Sequence, residues 1–61
     1  MKQQYKIGAL MKHREGVVYK EDGEYAMLAR CDGYNAHVYY FKSGRMVCFY
    51  SNEVSWFFIS L

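Results

Sequence analysis

A small all-β meander is the fold this sequence predicts, and three observations predict it. Gly-centred turn signals recur at Asp22-Gly23, Asp32-Gly33 and Ser43-Gly44. The runs between them alternate apolar and polar residues, as half-buried strands do. Apolar residues at helical spacing never persist beyond about ten residues without a glycine interrupting, which argues against amphipathic helices. Asp-Gly readily takes the positive φ angles of a tight hairpin, and turns at this spacing belong to sandwiches and small barrels.

Taken in order, the first strand is expected from Tyr5 to about Lys12, with Ile7, Leu10 and Met11 supplying core groups and Gly8 permitting a bulge. His13-Arg14-Glu15-Gly16 reads as a loop. A second strand runs from Gly16 to Glu21, carrying the β-favouring Val17, Val18 and Tyr19. From Glu24 to Arg30 the alternation is clean, with Tyr25, Met27 and Ala29 on one face and Ala26, Leu28 and Arg30 on the other; either face can be the inner one. Ala36 to Phe41 is a further strand, apolar enough on both sides to be covered on both. Met46 to Tyr50 alternates Val47 and Phe49 with Met46, Cys48 and Tyr50. Ser51-Asn52-Glu53 suits a single helical turn, since Asn followed closely by Glu favours a helix start. Val54 to Leu61 closes the chain as a strand with Trp56 and Phe58 on one face.

The 61 residues contain no proline, repeat or low-complexity tract, so a single domain spanning residues 1–61 is expected. A chain of this length buries only about 60% of the surface its unfolded form exposes. Five or six antiparallel strands curled into a barrel bring Ile7, Val18, Leu28, Val38, Val47 and Ile59 together in one core. With 52% apolar and 20% aromatic residues, some rings must reach the surface.

The order of elements resembles the small SH3-like β-barrels, particularly those of short stand-alone phage and prophage proteins. The residues that carry the likeness are Lys6-Ile7-Gly8-Ala9-Leu10-Met11, Gly16-Val17-Val18, Tyr25-Ala26-Met27-Leu28, Phe49-Tyr50 and Asn52-Glu53-Val54. They match that class's opening strand, its Gly-Val-Val second strand, its third strand and the short turn before its last strand. The resemblance spans Lys6 to about Ile59 and implies a barrel that binds peptides, nucleic acid or protein surfaces. One short barrel of this kind, the plasmid-borne trimethoprim-resistant dihydrofolate reductase, uses a Val-Gln-Ile-Tyr motif. The nearest match here, Val47-Cys48-Phe49-Tyr50, lacks the Gln and the Ile, and no acid-base pair, nucleophile set or phosphate loop stands out. A binding protein is expected, not an enzyme, and no cofactor is called for.

Cys31, Cys48, His13 and His37 are the soft metal ligands, but they do not fall in the close pairs of structural zinc sites. No metal site is predicted; the plainer reading is a buried Cys48, a turn-edge Cys31 and two surface histidines. Tyr34, Tyr39, Tyr40 and Tyr50 cluster around the later turns with Arg30, Lys42 and Arg45 interleaved. Tyrosine with arginine is enriched at protein interfaces. Aromatic faces flanked by cations also stack bases while the charges meet phosphates. The bland alternative is tyrosine bodies packed in the barrel with hydroxyls at the rim.

The predicted protein-binding set is therefore Tyr34, Tyr39, Tyr40, Arg45, Tyr50 and Trp56. The second reading is a sequence-tolerant nucleic-acid binder that uses Lys6, Lys12, Arg14, Arg30 and Lys42, although a net charge of +2 is mild for that task. Edge lysines that discourage aggregation explain part of the same pattern. Contiguous Trp56, Phe57 and Phe58 expose at least one ring if the last segment is a strand, so a homodimer through that strand is expected. Met1-Lys2-Gln3-Gln4 lacks a signal-peptide pattern, and the longest apolar run, Trp56 to Ile59, is far short of the roughly 20 residues a membrane span needs. A cytoplasmic protein without membrane partners is expected.

Overall fold

Alternation along each strand decides which residues enter the core. The computed structural model, which describes residues 5–14 and 21–61, has five strands there, β1 (Leu10–His13), β2 (Tyr25–Asp32), β3 (Asn35–Tyr40), β4 (Met46–Tyr50) and β5 (Phe58–Ser60), with the alternation interrupted in β2 after Leu28. They form one antiparallel sheet in the order β4-β3-β2-β1-β5. The fold is all-β, as expected. The first four strands meander, and the last returns to the opposite edge beside β1. The expected strand from Gly16 lies mostly outside the described residues.

The inward positions are Met11 and His13 of β1, Ala26 and Leu28 of β2, Ala36, Val38 and Tyr40 of β3, Phe49 of β4 and Phe58 of β5. Two alanines on the central strands make room for three large rings, the alternation of small and large groups that a curled sheet needs. The edges of the sheet meet through those rings: Phe49 of β4 lies edge-on to Phe58 of β5 at 5.6 Å between centroids. A β-bulge between Leu28 and Arg30 adds curvature, because an unpaired residue bends its strand and increases the local twist. It also moves Arg30 to the outward face, paired with His37, where simple alternation had placed it beside Leu28.

The β2–β3 hairpin closes through Gly33 and Tyr34, since Asp32 and Asn35 are already paired. Gly33 has φ +56° and no non-glycine residue described has a positive φ, the requirement of a turn with glycine first. The first strand is shorter than expected for a related reason. Gly8, at φ +88°, turns the chain, and its N–H reaches the Leu28 carbonyl at 2.7 Å. Ile7, before the turn, is exposed, Leu10 faces outward by alternation with Met11, and only Met11 of the three expected core groups is buried.

Between β4 and β5 the chain makes a 3-10 turn, Ser51–Glu53, and one α-helical turn, α1 (Val54–Phe57). The Tyr50 N–H donates to the Glu53 carboxylate at 3.0 Å, which fixes the entry to the helical turn that the Asn-Glu pattern predicts. Continuing as helix through Phe57 overturns the expectation of a strand from Val54. Helical rotation turns Trp56 outward, 65% exposed, while Phe58 begins β5 with its ring fully buried. The expected core places for Val47 and Ile59 are likewise corrected, the first half-buried and the second exposed.

His13 belongs to β1 and not to a loop, and it is only 4% exposed. Its Nδ1 lies 3.2 Å from the Phe57 carbonyl oxygen and its Nε2 2.8 Å from the Tyr40 hydroxyl. A carbonyl oxygen only accepts, so Nδ1 carries the proton and bare Nε2 accepts from Tyr40. The ring also lies against Phe58 at 4.2 Å between centroids and stacks on Tyr40 at 5.4 Å. Burial lowers the His13 pKa, against smaller upward contributions from the Phe57 carbonyl, Asp22 and Glu24.

A histidine whose folded pKa lies below its unfolded value, about 6.5, binds fewer protons when folded, so stability rises with pH across that window. Urea denaturation should show stability complete at pH 7.5 and falling as pH drops below about 6.5. Tyr40→Phe, which strips the partner from buried Nε2, should cost about 1–3 kcal/mol at pH 7.5. In the closing segment, Phe58→Ala should remove about 3–5 kcal/mol, on the order of the whole stability of such a chain, and Trp56→Ala no more than about 0.5 kcal/mol.

Candidate binding surface

The residues that alternate away from the core fall into rows across the sheet. Leu10 is opposite Met27, Met27 opposite Tyr39, and Tyr39 opposite Met46. The Leu61 N–H donates to the Leu10 carbonyl at 3.0 Å, so Leu61 extends that row over β5. The next row runs from Ile59 through Lys12 and Tyr25 to Phe41, whose N–H meets the Tyr25 carbonyl at 3.3 Å. Tyr39 and Phe41 touch edge to face at 5.7 Å, and the Lys12 ammonium lies 5.9 Å from the centre of the Tyr25 ring.

Six large apolar side chains in these two rows, Leu10, Tyr25, Phe41, Met46, Ile59 and Leu61, are exposed, each between 38% and 66%. Single exposed apolar residues are ordinary, whereas a contiguous set spanning a whole sheet is the kind of patch that marks an interaction site. Beyond them the face becomes polar. Arg30, His37 and Cys48 form the third row and Asp32, Asn35 and Tyr50 the fourth. Asp32 lies 2.9 Å from the Arg30 guanidinium and 3.6 Å from the His37 ring, so the polar groups at this end are held together around one carboxylate.

The predicted binding tyrosines separate on this frame. Tyr39 lies in the first apolar row. Tyr34, at the β2–β3 turn, is 86% exposed and shares the polar end with Tyr50, where the Ser51 N–H donates to the Tyr34 carbonyl at 2.6 Å. Tyr40 is a correction: at 1% exposure it is a core residue bound to His13 and offers nothing to a partner. Arg45 lies at the β3–β4 turn, 3.5 Å from the buried carboxylate of Asp22. Trp56 stands apart on α1. Sequence reasoning assigned Leu10 to the core and gave Tyr25, Phe41 and Met46 no binding role, and only strand register reveals that the four lie in two adjacent outward rows.

The predicted cations are dispersed. Lys6 is on the segment before β1, Lys12 is over Tyr25, and the Arg14 Nε–H donates to the Ser55 carbonyl at 2.8 Å. Arg30 pairs with Asp32, and Lys42 packs against Gly23 at the β3–β4 turn. Of the two cysteines, Cys31 lies at the edge of the β2–β3 turn as expected and Cys48 departs from its expected place. Cys48 is exposed on β4 instead of buried, and exposed Cys31 lines a groove of about 270 Å³ with Tyr5, Leu28, Ala36 and Val54. His13 is corrected from surface to core.

No helix among the described residues is long and apolar enough to cross a membrane. No family model, curated protein or solved structure matches the chain. The sheet geometry makes a simple chemical prediction: both thiols should react in the folded single chain, so at protein concentrations low enough to keep it monomeric Ellman's reagent without denaturant should titrate Cys31 and Cys48 fully. Protection of Cys48 in the monomer would contradict its outward position on β4.

Proposed function

We propose that this chain is a small SH3-like binding module that engages a protein partner through the outward face of its sheet and has no catalytic role. The observation that carries the reading is the pair of apolar-rich rows across the sheet, one from β5 to β4 and the next from β5 to Phe41, with the Arg30–Asp32–His37 group at one end. An apolar centre with Tyr and Met, bordered by charge, is the composition of protein interfaces. The return of the last strand to pair with the first, after a 3-10 turn, supports the SH3-like resemblance.

The nucleic-acid reading receives less support, because its cations occupy separate elements and Arg30 is already paired with an acid. Affinity capture from the source cells should retain a partner on the wild-type chain that the folded double variant Leu10→Glu/Phe41→Glu loses. Retention of the same proteins by both would refute the outward-face assignment. In parallel, a labelled single-stranded oligonucleotide should show no anisotropy change. Binding that collapses between about 50 and 200 mM salt would favour the nucleic-acid reading instead.

A further inference from the structure

Among the described residues β4 and β5 are the two edges of the sheet, and they differ. β5 has three residues, short enough to offer little to a pairing strand, whereas β4 is five residues, Met46-Val47-Cys48-Phe49-Tyr50, without a charge, a proline or a bulge. The hydrogen bonds beside β4 fix which of its backbone groups are committed. The Tyr40 N–H donates to the Arg45 carbonyl and the Ser51 N–H to the Tyr34 carbonyl, so residues 45, 47, 49 and 51 address β3. In an antiparallel ladder the intervening residues point the other way. Met46 and Cys48 therefore aim their N–H and C=O groups out of the sheet, and Tyr50 its carbonyl, its N–H being held by Glu53.

We propose that β4 pairs with β4 of a second copy of this chain, antiparallel and centred on Cys48, to form a two-fold dimer with a continuous ten-stranded sheet. The strand is complementary to itself in that orientation. Cys48 faces Cys48, each Met46 faces a Tyr50, and Arg45 at one end of each strand lies toward the Ser51–Glu53 end of the other. Opposite charges thus flank an uncharged centre, whereas a parallel pairing would set Arg45 against Arg45. Met46 opposite Tyr50 joins the apolar row of one copy to an aromatic ring of the other, a favourable sulfur–ring contact. The homodimer expected through the last strand is accordingly placed on the opposite edge. The proposal is independent of the partner-binding reading, since it uses the sheet's edge and leaves its outward face open.

Sedimentation equilibrium over a wide concentration range tests it. The wild-type chain should approach twice the chain mass, and Cys48→Lys, which places two like charges at the two-fold axis on an exposed position, should abolish the dimer while circular dichroism stays unchanged. Met46→Lys should do the same from a neighbouring exposed site, and Ile59→Lys on β5 should leave the dimer intact. Mild oxidation of the Cys31→Ser variant at low protein concentration should yield a dimer linked through Cys48. A wild-type chain that stays monomeric throughout, or a dimer that survives Cys48→Lys and is lost in Ile59→Lys, would overturn the proposal.

Discussion

A single buried imidazole links, across the core, strands that are not neighbours in the sheet. His13 sits on β1, hydrogen-bonds the Tyr40 hydroxyl of β3 across the core, and meets the carbonyl of Phe57 at the entrance to β5. Its ring lies against Phe58, which in turn touches Phe49 of β4. The two sheet edges are thus brought together around one polar group. That arrangement is favourable only while the imidazole is neutral with its proton on Nδ1, because an unsatisfied or charged buried nitrogen would cost more than the contact contributes. Tyr5 reinforces the same junction, its hydroxyl donating to the Phe58 carbonyl at 3.1 Å.

The outward face follows from the inward one. A curled single sheet buries one side of each strand, and this chain places its small residues, Ala26 and Ala36, and its largest rings on that side. With 52% apolar residues, the surplus has no second layer to enter and emerges as rows across the other side. The first row is continuous because β1, β2, β3 and β4 are in register from Leu10 to Met46, and the second follows the same register one step on from Lys12 through Tyr25 to Phe41. The bulge after Leu28 ends the apolar stretch by bringing Arg30 outward, where Asp32 and His37 gather around it. One backbone irregularity thereby contributes to both the curvature of the core and the polar border of the candidate site.

Much of this was legible from residue order. The Gly turns, the alternation of Ala26 and Leu28 with Tyr25 and Met27, the alternating β4 and the helical turn at Ser51 all express local backbone and patterning preferences. What escaped is non-local. A histidine after a strand reads as loop until its partners, 27 and 44 residues away, supply hydrogen bonds for its ring. Trp56 and Phe58 look like neighbours on a strand face, yet one added helical turn separates a surface ring from a core ring. Tyr40 and Tyr39 are equivalent as residue types, and strand direction alone sends one to His13 and the other to the outward row. The candidate site was less legible than the fold for the same reason, since a row across strands exists only once the register is set.

The protonation state of His13 bears most directly on this account. Long-range nitrogen–proton NMR correlations of the His13 ring, followed as pH is lowered, report which nitrogen carries the proton and when the second one binds. Protonated Nδ1 and bare Nε2 at neutral pH, persisting below the pH at which a solvent-exposed histidine titrates, is the predicted result. A ring protonated on Nε2, or one that titrates at the ordinary value of about 6.5, would contradict the claim that a neutral, fully committed imidazole joins the two edges of the sheet.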